Sequence, residues 1–77
     1  MNELLTIPHV TMLPEPKRGT VEVAIAPGTR GRVKAMGSYW LAELHQVEGE
    51  IHLLPGESIL VVGIKNITLL VVPFPLK

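Results

Sequence analysis

From Thr20 to Val72 the chain is a series of short apolar or β-branched runs, each cut off by a Gly, Pro or Asn turn. No window of ten residues carries a 3.6-residue apolar period, so the pattern predicts strands rather than helices. "TVEVAI" (20–25) alternates and puts Val21, Val23 and Ile25 on one face. "PG" at 27–28 is a turn, because Pro presets one dihedral and Gly accepts a positive φ. "GRVKAM" (31–36) and "YWLAEL" (39–44) flank Gly37-Ser38, which suits a two-residue hairpin loop with glycine first. "LPGES" (54–58) makes another turn, and "ILVVGI" (59–64) and "ITLLVV" (67–72) flank Lys65-Asn66. Five short strands so closely spaced are expected to close into a small barrel, since closure removes exposed edges. Before them, residues 1–18 contain Pro8, Pro14 and Pro16 and read as an extended N-terminal arm, leaving 19–77 as the barrel domain.

A chain of 77 residues makes one domain. A domain this small buries about 60% of its unfolded surface and gains roughly 3–5 kcal/mol from its core, a poor host for a strained polar active site. There is no cysteine, hence no disulfide and no thiolate metal site. Every acidic residue is Glu, which removes the Ser-His-Asp triad. His9, His45 and His52 lie far apart in sequence. His45 and His52 approach only if the 45–57 segment folds back with Glu48 or Glu50, and zinc needs at least three convergent ligands. Ser38 and Ser58 sit in turns without a nucleophile-elbow pattern, and "GTRGR" lacks the arrangement of a phosphate-cradling loop. "NIT" at 66–68 is better explained as a hairpin turn than as a glycosylation acceptor. The expectation is a non-enzyme with no catalytic residues, no metal and no cofactor.

Net charge is zero but unevenly spread. Residues 1–37 carry five cations against three glutamates, and residues 38–77 two cations against four glutamates. Nucleic-acid binders generally carry a basic excess over the whole domain. The longest apolar runs fall well short of a spanning helix, and the N-terminus lacks a basic start followed by an apolar block. A soluble, cytoplasmic chain is expected.

If Gly37-Ser38 closes the first hairpin, Ala35 faces Trp40, Val33 faces Ala42 and Gly31 faces Leu44 on one apolar side. The other side pairs Lys34 with Leu41 and Arg32 with Glu43. Val33, Ala35, Trp40 and Ala42 are then core, the small Ala35 making room for the indole. Tyr39 lies outside with Arg30, Arg32 and Lys34. That face reads as a solvated strand surface; the alternative is a single-stranded nucleic-acid platform built from the same four residues. In the second hairpin both faces are apolar. One set, Leu60, Val62, Ile64, Ile67, Leu69 and Val71 or its complement, must point outward, and Phe74 between two prolines suits an apolar anchor. Either the arm, with Leu4, Leu5, Ile7, Val10, Met12 and Leu13, covers that set, or it is a surface for a protein partner or for self-association.

The spacing Gly31-x-Val33-x-x-x-Gly37-x-x-Trp40-x-Ala42, followed by "LLPGESILVVGIKNITLLVVP", resembles the C-terminal domain of the NfeD family over residues 28–73. The resemblance implies a five-stranded OB-type barrel, in agreement with the strand count. It also implies a non-catalytic interaction module that works with membrane-associated proteins of the stomatin, prohibitin or flotillin type. Longer family members carry spanning helices or a protease domain. This chain resembles only their barrel, so it is expected to reach the membrane through a partner, while the outward apolar set of residues 59–72 leads to the expectation that it oligomerises.

Overall fold

The computed structural model describes residues 9–46 and 49–75, which form five strands and no helix. They are β1 (Val10–Val23), β2 (Gly31–Ala35), β3 (Ser38–Leu44), β4 (Ser58–Lys65) and β5 (Thr68–Pro73). The barrel closes in the order β1-β2-β3-β5-β4, with β3 and β5 parallel and every other pair antiparallel. This is the expected all-β, five-stranded OB-type barrel. Its interior is packed by Val21, Ile25, Val33, Ile59, Val61, Leu69 and Val71, with Ala35, Ala42 and Leu53 filling the remaining space.

β1 begins at Val10, well before the strand expected from Thr20. Its first part pairs with the end of β4, Val10 to Met12 opposite Lys65 to Gly63. Pro14 and Pro16 fall where the β1–β4 register shifts, between Met12 and Lys17. A proline cannot donate to a ladder, so an irregularity is where a strand tolerates one. Leu4, Leu5 and Ile7, expected to cover the second hairpin, lie outside the described residues.

The first hairpin turns at Met36-Gly37 rather than Gly37-Ser38. Both residues have positive φ, +52° and +77°. That is the type I′ geometry, whose twist matches the strands it joins, with Gly at the second position rather than the first. The pairs become Val33 with Trp40 and Gly31 with Ala42, while Arg32 meets Leu41 instead of Glu43. The slip is two residues, so every side chain keeps its face. Gly31, Val33, Ala35 and Ala42 are buried, and Trp40 is half-buried against them. The Trp40 Nε1–H donates to the Ala35 carbonyl at 3.0 Å. Trp40→Phe is therefore expected to cost about 1 kcal/mol through that hydrogen bond, read from urea unfolding followed by far-UV circular dichroism.

The second hairpin turn is displaced by one residue in the opposite direction, toward the C-terminus. Lys65 pairs with Thr68 and Ile64 with Leu69, around an Asn66-Ile67 turn in which Asn66 takes φ +58°. Asn66 is held by β1's entry: its N–H donates to the His9 carbonyl at 2.8 Å, and its Oδ1 accepts from the His9 N–H at 3.3 Å.

Candidate functional site

The outer surface of β4 and β5 is shaped by one extra residue. The β4–β5 register shifts between Val61 and Gly63, making Val62 a bulge. Before it, Ile59 and Val61 point inward; after it, Ile64 packs against the core. Gly63 is thereby turned outward, where a Cβ would meet Met12 Sδ at 2.9 Å and Leu70 Cδ1 at 3.3 Å. Its missing side chain lets Met12 and Leu70 close over β4, so Leu70 is only 3% exposed although it lies outside the core cluster.

The anticipated apolar set is therefore divided between the two sides of the sheet. Leu69 and Val71 are fully enclosed and Ile64 lies against the core, so none of the three is an open contact surface in this barrel. Leu60 and Val62 remain outside and half-buried, with Leu60 opposite Val72. Ile67, at the hairpin tip, is 75% exposed. Phe74 is half-buried, with the Arg18 guanidinium carbon 4.6 Å from its ring centre. The outer apolar face thus consists of Met12, Leu60, Val62 and Val72, ending at Phe74. A glycine inside an apolar strand marks a bulge or a close approach, and Gly63 was the signal in the sequence.

The cations separate into two groups. Lys34 lies 5.6 Å from the Tyr39 ring centre, directly across the β2–β3 ladder. Arg32 is exposed opposite Leu41. Arg30 turns instead to Glu43, 3.7 Å away, and Glu43 also receives Lys65 at 2.8 Å. The four candidates for nucleic-acid contact are consequently not one basic stripe. Among the described residues no three His, Cys, Asp or Glu side chains converge as a metal site, and no helix is long and apolar enough to cross a membrane. Glu48 lies outside the described residues.

Closed order 1-2-3-5-4, an apolar outer sheet face and scattered surface charge define a small OB-type barrel whose distinctive chemistry is surface contact. A family model described as NfeD-like C-terminal, partner-binding domain matches residues 17–73. The chain belongs to the NfeD family through this domain, and the match covers all of the barrel except the first part of β1. No curated protein and no solved structure matches it.

Proposed function

We propose that this chain is a non-catalytic interaction module that docks a protein partner on the outer face of β4 and β5, around Leu60, Val62, Val72 and Phe74. The match to a partner-binding domain carries the reading. The outer apolar face supports it physically, because burying such side chains contributes about 25 cal/mol per Å² of apolar area. The family resemblance points to a stomatin-, prohibitin- or flotillin-type partner. The module then works in the cytoplasm and reaches the membrane through that protein. Self-association through the same face is the second use. Oligonucleotide binding by Tyr39, Lys34, Arg32 and Arg30 is the weaker reading, since Arg30 is engaged with Glu43 and net charge is zero.

The test is co-purification of the tagged chain from membrane and soluble fractions, with captured proteins identified by mass spectrometry. Val72→Glu, on a half-buried outward position, should abolish capture of the membrane partner while leaving the circular dichroism spectrum intact. In sedimentation velocity the same change should convert any self-associated species to monomer. Equal capture by wild type and variant would remove this face from the interaction. Recovery of nuclease-sensitive assemblies alone would favour the oligonucleotide reading.

A further inference from the structure

On the outer surface where β1, β2 and β4 run side by side, an open concavity of about 290 Å³ is bordered by Arg18, Thr20, Lys34 and Ser58, with the Met36-Gly37 turn at its rim. Strand register brings these residues together. Thr20 lies opposite Lys34 on β2 and opposite Ser58 on β4. Arg18 and Thr20 flank Gly19, whose own Cβ would meet Ala35 Cβ and Ile59 Cδ1 at 3.0 Å on the core side. Residues alternate along a strand, so Arg18 and Thr20 share the outer face.

All four bordering side chains are hydrogen-bond donors, and none of the residues around the concavity is acidic. Each cation lies against an aromatic ring on its own side of the hollow: Arg18 stands over Phe74 at 4.6 Å, and Lys34 is 5.6 Å from Tyr39. Cation–π contact holds a charged head while leaving its N–H groups available. The ion pairs formed among the described residues, Arg30–Glu43 and Lys65–Glu43, involve neither of them. Two cations flanking one hollow, with two hydroxyls between them and no ion-pair partner among the described residues, make a donor arrangement that suits an anion.

We infer that this hollow is an anion-binding site and that its ligand is a carboxylate on an acidic segment of a protein partner. The inference rests on the interaction-module reading and adds a charged contact to it, adjoining the apolar face at Phe74. Arginine matches a carboxylate in a two-pronged geometry, and lysine adds a point charge. A phosphodiester strand fits less well. Its affinity comes from several phosphates contacted in succession, whereas here Glu22 and Glu57 stand close in sequence to Thr20 and Ser58 and confine the positive area.

The experiment is a titration of the isotope-labelled full chain with three probes: a Glu-rich octapeptide, its Gln counterpart and a single-stranded oligonucleotide. The Glu peptide should shift the amide resonances of Gly19, Thr20, Gly37 and Ser58, with affinity falling as salt is raised; the Gln peptide should not. Arg18→Gln or Lys34→Gln should each weaken the Glu peptide roughly three- to tenfold. The double variant should abolish binding, and Lys34→Arg should retain it. Unchanged resonances outside the hollow verify that each variant is folded. Shifts centred elsewhere, equal binding of both peptides, indifference to the substitutions, or binding of the oligonucleotide alone would each overturn the inference. If the wild type ignores the Glu peptide yet still captures a membrane protein, the site fails and the interaction module stands. If it binds the peptide at these amides but captures no protein, the site stands and the docking reading fails.

Discussion

Gly31→Ala is expected to leave most of the chain unfolded at room temperature, although it adds a single methyl group. Gly31 opens β2 and is buried where the chain leaving β1 passes behind it. A Cβ there would collide with the Val23 and Ala24 carbonyl oxygens and stand 2.7 Å from Ile25 Cγ1. Two of these atoms belong to backbone, which cannot rotate aside as a side chain can. Relief requires moving residues 23–25 away from β2, disturbing both the Val23–Arg32 pair and the bridge from Ile25 to Leu53. Overpacking that flexible side chains can absorb costs about 1–3 kcal/mol. Here the cost should reach about 3 kcal/mol or more, against a domain margin of roughly 3–5 kcal/mol. Gly37→Ala is the contrast: φ is +77°, no atom lies within 4 Å of its Cβ, and only the left-handed backbone opposes it, at about 1–2 kcal/mol. Urea unfolding followed by Trp40 fluorescence compares them. Similar midpoints for the two variants would mean that residues 23–25 yield easily and that the close approach at Gly31 is not a constraint.

That contact also shows what the sequence conveyed and what it left hidden. The strands were legible because alternation at 20–25 and 31–44, and the β-branched runs at 59–72, are properties of single segments. Both hairpin registers were misplaced by two residues, because a dipeptide does not say which of its positions takes the positive φ. Gly37 serves as the second turn residue and Asn66 as the first. Two residues is one full strand period, so the inside-outside assignment of the first hairpin survived the error. In the second hairpin the outward face was left open, and the set grouped on one face is divided: Val62 is inserted, and Leu69 and Val71 fall on the core side while Leu60 stays outside. The prolines of 14–16 read as an arm because the register break that accommodates them becomes visible only once β4 is alongside. The hollow at Arg18 was hidden for a related reason. Its borders come from three strands, Arg18 and Thr20 on β1, Lys34 on β2 and Ser58 on β4, and only barrel closure makes them neighbours.

Leu53→Ala tests a core residue that, like its bridge partner Ile25, lies outside the five strands. The long connection from β3 to β4 would pass as solvent-exposed loop, yet Leu53 is 2% exposed and belongs to the core cluster. It is pinned as well as packed: the Ile25 N–H donates to the Leu53 carbonyl at 2.9 Å, and the Leu53 N–H donates to the Ile25 carbonyl at 2.8 Å. Those paired bonds restrict how far the backbone can follow a shortened side chain, so the cavity would stay largely open. Leucine-to-alanine changes in cores cost about 2–5 kcal/mol, the larger values where collapse is limited. About 3–4 kcal/mol is expected here, enough to consume most of the stability of a domain this size. Leu54→Ala removes the same atoms one residue later, where the side chain is 55% exposed, and should change stability by about 0.5 kcal/mol or less. Equilibrium unfolding gives both values, and hydrogen exchange at the Ile25 and Leu53 amides reports whether the bridge opens first. If the two leucines prove equivalent, the connection merely rests on the barrel. If Leu53 alone is costly, the connection closes the barrel as a sixth structural segment, and the stability of the binding faces depends on it.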